Sequence, residues 1–253
     1  MIDKNPTVAL VLCGALARET IAIVKRHGWD AELFGISMLD HLRPERIAPD
    51  VERRLRELIP RFARIVVLFG DCGSYGALDE VLGRYNVPRI SGPHCYEMYS
   101  GGASERLLEE QPGTFFLTDF LVRSFHGAVR RGLGLDRFPE LRALYFGNYT
   151  RLVYLAQHDD DALDQRAAAI AHELGLPLER RFTGYGQLEA RLVSLMAEIH
   201  DERYRPQLPD ENETDEHGKL SNPLLARHPH AGSRARPRRA GQRPAGEPLP
   251  RGG

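Results

Sequence analysis

The chain has 253 residues, a formal net charge of −1 and a charged fraction of 27%, which is the composition of an ordinary soluble protein with one large or two small α/β domains. No run approaches the roughly 18 apolar residues of a membrane span, and the N-terminus lacks a signal-peptide pattern. We therefore predict a cytoplasmic protein and exclude a membrane-spanning one. Three cysteines, an odd number, do not suggest a disulfide framework and indicate free thiols or ligands.

The first part of the chain alternates between apolar runs and amphipathic segments. Predicted buried strands cover residues 8–12, 31–36 and 65–69, and predicted helices cover residues 17–26, 49–62 and 76–84. In the first helix, Ile21 and Val24 are expected to face the sheet, with Glu19 near the helix start. A further strand-like piece begins at Pro88 and ends at His94 and Cys95.

The same alternation continues in the second part. Predicted strands cover residues 114–119, 152–156 and 178–182, and predicted helices cover residues 104–110, 120–133, 162–174 and 186–199. This order is typical of an α/β fold that is Rossmann-like, with a mostly parallel sheet and helices on both faces. We predict one α/β domain over residues 1–203, and the pattern leaves open two similar sub-domains, 1–98 and 99–203.

The C-terminal region differs in composition from the rest. Residues 222–253 contain seven arginines, one glutamate and six prolines, without apolar periodicity. We therefore expect residues 204–253 to form a disordered tail. A basic arm for nucleic acid is the alternative, but the segment has no aromatic residue to stack on bases, so a nucleic-acid partner is not expected.

The three cysteines all lie at predicted strand ends. Cys13 ends the first strand, Cys72 follows the central strand, and Cys95 follows the next strand-like piece. Ligands bind at this edge of parallel sheets, where adjacent strand ends are about 5 Å apart. Thiolates select zinc, copper(I) or iron–sulfur clusters. The pattern predicts an iron–sulfur cluster or zinc at Cys13, Cys72 and Cys95, and the alternative is that each cysteine is a small buried hydrophobe.

Polar residues beside the cysteines are the candidate catalytic groups. His94 adjoins Cys95, which makes joint binding of one ion awkward, so we predict that His94 either supports a metal ligand by hydrogen bonding or transfers protons. Glu97 is a candidate general acid or base, or a helix-start residue. Asp71 is a candidate catalytic residue, or it caps the turn at Gly73 and Ser74.

Other residues at strand ends are candidates for binding a cofactor. They comprise three glycines and a Thr–Asp pair: Gly14, Gly70, Gly73, Thr118 and Asp119. The alternative for the last two is that they cap the following helix. The Gly70–Gly73 loop is too short for a phosphate-binding loop and is not followed by Gly-Lys-Ser/Thr.

Five segments of the chain resemble the domain-of-unknown-function family 1638. They are Cys13–Glu19, Gly70–Gly73, Gly92–Glu97, Gly113–Phe120 and Thr183–Gly186, and the resemblance covers about residues 7–200. The family pattern has cysteines at the positions of Cys13, Cys72 and Cys95. Its members are often encoded beside corrinoid-dependent methyltransferases that act on methylamines and betaines. The resemblance therefore implies a corrinoid protein or methyltransferase as partner, although neighbouring genes do not define a reaction.

Two functional hypotheses follow. The first is a metal-thiolate protein, catalytic or accessory, in corrinoid-dependent methyl transfer and the one-carbon metabolism of methylated amines. The second is a non-metal α/β binding protein that holds a small polar ligand or a partner's cofactor in the same crevice. The metal content of protein purified without oxygen distinguishes them.

Overall fold

The computed structural model describes residues 8–209. Of the tail predicted over residues 204–253, residues 210–253 lie outside the described part, whereas Tyr204 is buried and the Gln207 N–H donates a hydrogen bond to the Tyr85 carbonyl oxygen at 3.0 Å. The described chain has an α/β fold with two parallel three-stranded sheets. The strands are Val8–Cys13 (β1), Ala31–Ile36 (β2), Arg64–Leu68 (β3), Thr114–Thr118 (β4), Arg151–Ala156 (β5) and Leu178–Phe182 (β6). The predicted fold class is confirmed.

Helices connect the strands in both parts of the chain. The α-helices between residues 8 and 209 are Ala17–His27 (α1), Ile47–Leu58 (α2), Ala77–Arg84 (α3), Cys95–Ser100 (α4), Ala103–Glu110 (α5), Asp119–Phe125 (α6), Leu141–Phe146 (α7), Asp161–Leu174 (α8) and Gly186–Glu198 (α9). Within these described residues, no helix combines the length and apolar character needed to cross a membrane.

The first sheet has the strand order β2-β1-β3. In its register, Leu10 of β1 lies opposite Leu33 of β2 and Val66 of β3. Every residue of β1 is buried, as expected for a central strand covered on both faces. The predicted strand after Pro88 is wrong: Arg89 makes a single parallel bridge to Val67, and Cys95 begins α4 instead of ending a strand.

The second sheet has the order β4-β5-β6, with Tyr154 of β5 opposite Leu117 of β4 and Arg180 of β6. The helix predicted over residues 120–133 is α6 followed by a π-helical turn, His126–Arg131. Helix α7 was not predicted. The central strand β5 is buried like β1, so each sheet has its own core.

Helix α1 differs from the prediction in the face that it buries. Ile21 is 43% exposed, whereas Glu19 and Thr20 are 1% and 0% exposed. Val24 is buried as expected. The expectation that Ile21 faces the sheet is therefore wrong, and the inward face of α1 carries a carboxylate.

Candidate functional site

The carboxyl edges of the two sheets face each other across a crevice. The short turn after β1 packs against α6, and Phe120 of α6 contacts the first core. Met38, which follows β2, contacts both cores. Because parallel strands all end at one edge of their sheet, the loops after strands from both halves line this crevice.

Two loops of the first half meet at the predicted cysteine site. The Cys72 backbone N–H donates a hydrogen bond to the Pro93 carbonyl oxygen at 2.8 Å. A Cβ at Gly70 would lie 2.8 Å from the Cα of His94, so only glycine allows this approach. Cys72 itself has a φ of 49°, which is uncommon for a residue with a side chain. The local backbone is thus arranged to bring Cys72 beside the start of α4.

Burial is the largest influence on the pKa values of the three thiols. Burial raises the pKa of Cys13 to about 12, raises the pKa of Cys72 to about 11 and raises the pKa of Cys95 well above its ordinary value. The Cys13 and Cys72 sulfurs raise the pKa of Cys95 further. All three cysteines are free of disulfides, and without a cation they are neutral thiols at neutral pH.

Backbone N–H groups oppose the effect of burial at each sulfur. The Ala15 N–H donates to the Cys13 Sγ at 3.4 Å, and N–H groups of Gly70 and Tyr96 lower the pKa of Cys72 and Cys95 respectively. Such groups stabilise a thiolate once it forms.

The distances between the three sulfurs limit the kind of metal centre that they could bind together. Among the described residues, the three sulfurs do not form a set whose members all lie within 4.8 Å of one another. Thiolates on one zinc ion, with Zn–S bonds of about 2.3 Å, lie about 3.8 Å apart. The three sulfurs are therefore spread more widely than three thiolates on one zinc ion.

The candidate catalytic residues near the cysteines have structural partners. The Asp71 carboxylate accepts hydrogen bonds from the Ser74 hydroxyl at 2.6 Å and from two backbone N–H groups, of Tyr75 and Gly76. It therefore caps the turn, although through later amides than expected. These bonds outweigh burial and lower the pKa of Asp71.

His94 and Glu97 both belong to the start of α4. The His94 Nδ1 accepts a hydrogen bond from the Glu97 N–H at 3.2 Å, and burial lowers the pKa of His94, so the ring is a neutral helix cap. The Glu97 carboxylate accepts two hydrogen bonds of 2.6 Å from Arg191 of α9. The proposed catalytic role of either residue stays a prediction.

The predicted cofactor-binding residues divide into two groups. Gly14, Gly70 and Gly73 lie in the loops after β1 and β3, where Gly73 has a φ of 88°. Thr118 caps α6 by accepting a hydrogen bond from the Leu121 N–H at 3.4 Å. Asp119 does not cap this helix through its side chain but lies fully buried at the crevice.

Asp119 is the centre of a hydrogen-bonded network in the second half. Its Oδ1 accepts hydrogen bonds from the Tyr154 hydroxyl at 2.6 Å and the Gln157 N–H at 3.0 Å. Its Oδ2 lies 2.8 Å from the His158 Nδ1. The His158 Nε2 lies 3.2 Å from the Tyr185 hydroxyl. Asp119 and Tyr185 thus hold the His158 ring from two sides. Asp119 follows β4, His158 follows β5 and Tyr185 follows β6.

Glu19 joins this network from the first half. Burial raises the pKa of Glu19, and the nearby Asp119 carboxylate raises it further. Tyr99 lies close enough to lower that pKa, but neither Glu19 Oε1 nor the Tyr99 hydroxyl has a hydrogen-bond partner. Four residues of this network, Glu19, His158, Tyr99 and Tyr185, are not among the site residues predicted from the sequence.

Two clefts open from the crevice. The smaller has a volume of about 560 Å³ and is lined by Arg18, Arg123, His158 and Tyr185 with others. The larger, of about 1300 Å³, is rich in basic side chains: Arg43, Arg46, Arg123, His126 and Arg131. Asp40 is the acidic residue of that lining, so the larger cleft is electropositive.

One known family matches most of the residues that form this architecture. The family model described as "Protein of unknown function (DUF1638)" matches residues 37–192, which is 156 of the 253 residues. The chain belongs to this family. The DUF1638 match includes Cys72, Cys95, Asp119 and His158, and it begins after Cys13 and Glu19. No curated protein and no solved structure gives a significant match.

Proposed function

We propose that this DUF1638 protein is a metal-thiolate protein, catalytic or accessory, that holds an iron–sulfur cluster through Cys13, Cys72 and Cys95. The observation that carries the proposal is the electrostatic coupling of three thiols, of which that of Cys13 is buried and those of Cys72 and Cys95 are half-buried: Cys72 raises the pKa of Cys13, and both raise the pKa of Cys95. They come from β1, the loop after β3 and the start of α4. Soft sulfur donors grouped in a dry site favour soft metals and iron–sulfur clusters.

We name a cluster rather than zinc because the three sulfurs do not all lie within 4.8 Å of one another, as three thiolates on one zinc ion would. Bound there, an iron–sulfur cluster would supply electron transfer, and three cysteine ligands would leave one iron with a free position. The N–H groups at the sulfurs support the thiolate state and tune such a cluster. His94 lies beside Cys95 as a neutral ring whose Nδ1 accepts the Glu97 N–H, so its Nε2 carries the hydrogen and can donate it in a hydrogen bond.

The place of this protein in metabolism is proposed from the sequence resemblance. Corrinoid-dependent methyl transfer is the expected setting, with a corrinoid protein or a methyltransferase as the expected partner. The two clefts lined by residues of both halves offer a surface for such a partner.

Metal analysis of the full-length protein purified without oxygen tests the proposal. We expect stoichiometric iron with acid-labile sulfide, and Cys13→Ser, Cys72→Ser and Cys95→Ser should each reduce the metal to background while the fold persists. Ser replaces a soft donor with a hard one of nearly the same size. His94→Ala should retain most of the metal, and His172→Ala on the exposed face of α8 is the control.

Three outcomes would contradict the cluster. Stoichiometric zinc without iron would retain the thiolate site and change its metal, whereas absence of both metals, or full occupancy in Cys13→Ser, would reject it. Rejection would leave the second candidate, a non-metal binding protein. The specific observation in its favour is the larger cleft, whose arginines fit an anionic ligand such as a phosphate or carboxylate.

A further inference from the structure

Glu19, Asp119 and His158 form a second group of potential metal ligands, separate from the cysteines. Each offers one ligand atom, and these atoms all lie within 4.8 Å of one another. Two of the atoms are carboxylate oxygens and the third is an imidazole nitrogen. The residues come from α1, α6 and the loop after β5, so the group exists only when the two halves are folded together.

Glu19 carries an unpaired oxygen that points to a missing partner. The residue is 1% exposed, and its Oε1 has no hydrogen-bond partner. A buried carboxylate without compensation is costly, and a second carboxylate beside it raises the cost. A cation placed between Glu19 and Asp119 would compensate both.

The other two ligands are already oriented. Tyr154 and the Gln157 N–H hold the Asp119 Oδ1, which leaves Oδ2 toward His158 and the Arg123 guanidinium, 3.5 Å away. Tyr185 lies at the His158 Nε2. Metal-binding carboxylates and histidines are commonly fixed in this way by surrounding hydrogen bonds.

The group also has an opening to solvent. His158 lines the smaller cleft, and its side chain is 41% exposed, whereas that of Asp119 is 0% exposed. A metal ion would therefore reach buried carboxylates from one side, with water or a ligand completing its coordination from the cleft.

We propose that Glu19, Asp119 and His158 bind one divalent transition-metal ion, such as manganese, iron(II) or zinc, through two oxygens and one nitrogen. The imidazole favours these ions over magnesium or calcium. The two carboxylates neutralise the ion's charge. Three protein ligands leave positions open toward the cleft, as in catalytic metal sites. This site does not depend on the cysteines and can exist whether or not they hold a cluster.

Titration of the full-length, chelator-treated protein with Mn²⁺, followed by the electron paramagnetic resonance of free Mn²⁺, tests the site. Manganese is the probe because carboxylate and imidazole ligands suit it better than thiolates do. We expect one Mn²⁺ per chain, with equal affinity in Cys13→Ser. Glu19→Gln and His158→Ala should each weaken binding by at least about tenfold, the lower end of the effect for residues that support metal ligands.

Asp159→Asn is the matched control, because it removes one negative charge from the same cleft without removing a ligand. Mn²⁺ should raise the melting temperature of the unaltered protein and of this control, but not of Glu19→Gln. If Glu19→Gln fails to fold, the Mn²⁺ affinity of His158→Ala tests the site. The His158 side chain is partly exposed, so its removal should not prevent folding. Unchanged affinity in the ligand variants, loss of binding in Cys13→Ser, or no stoichiometric Mn²⁺ would each overturn the proposal.

Discussion

Gly70 determines how closely the loop that carries Cys72 approaches the start of α4. A Cβ at this position would lie 2.8 Å from both the Pro93 carbonyl oxygen and the His94 Cα, and both are backbone atoms that cannot move independently. The contact is maintained by the hydrogen bond from the Cys72 N–H to the same Pro93 oxygen. The glycine predicted to bind a cofactor therefore has a packing role beside the proposed cluster.

We expect Gly70→Ala to lower the free energy of unfolding by about 1–3 kcal/mol, the usual cost of overpacking, and to reduce bound metal. Chemical denaturation and metal analysis measure the two effects. Gly35→Ala is the matched control, because a Cβ at Gly35 meets no atom within 4 Å, and it should change stability by no more than about 0.5 kcal/mol. Equal stability of the two variants would show that the close approach is not required.

The residues of the site differ in how far sequence reasoning could predict them. Cys13 and Asp119 directly follow apolar runs, and parallel strands bring such positions to one edge. His158 also follows an apolar strand, β5, but it lies between Gln157 and a run of aspartates that is typical of a solvent-exposed helix start. Glu19 has no such signal in the sequence, because a charged residue in an amphipathic helix is expected to face solvent. Its burial depends on contacts with the second half of the chain, about a hundred residues away in sequence.

At the scale of elements, an ion pair joins α4 to α9. Arg191 donates two hydrogen bonds of 2.6 Å to the Glu97 carboxylate and one of 2.9 Å to the Ser91 carbonyl oxygen. The side chains of Arg191 and Glu97 are 24% and 11% exposed. Because α4 begins with Cys95, this pair also helps to position a proposed metal ligand.

Arg191→Ala should destabilise the protein by about 1–3 kcal/mol, because Glu97 would keep its burial and lose its partners. The exposed pair Arg54–Glu57, whose side chains are 34% and 48% exposed, gives the control: Arg54→Ala should cost no more than about 1 kcal/mol. Thermal and denaturant unfolding measure both. A double variant, Glu97→Leu with Arg191→Met, should recover part of the loss, and equal effects of the two arginine variants would contradict this role.

Most elements could be predicted because their patterns are local. The runs at β1 and β3 are apolar and rich in β-branched residues, the run at β5 is apolar, and the stripe in α2 has helical spacing. The segment after Pro88 fails as a strand for a physical reason. Pro88 and Pro93 lack the N–H that a ladder needs, and Gly92 has a φ of 132°, so pairing stops after the Arg89 bridge.

At the scale of the whole molecule, an element that is late in the sequence packs on the half of the molecule that is formed first along the chain. Helix α9 follows β6 in sequence, but Leu188, Leu192 and Ile199 are fully buried in the core of the first half. The chain therefore crosses from the first half to the second and returns. This return could not be predicted from sequence, because an amphipathic helix does not specify which sheet it covers.

The return of α9 leads to a prediction about truncation. A chain that ends at residue 209 keeps α9 and should unfold with the melting temperature and metal content of the full chain. A chain that ends at residue 185 should lose cooperative unfolding. Each fully buried leucine or isoleucine contributes about 1.5–3 kcal/mol, so the loss of three is comparable with a typical net stability of about 5–15 kcal/mol. Differential scanning calorimetry measures the unfolding transitions of the two truncated chains. If the shorter chain unfolded cooperatively at a melting temperature near that of the longer chain, the first half would be stable without α9.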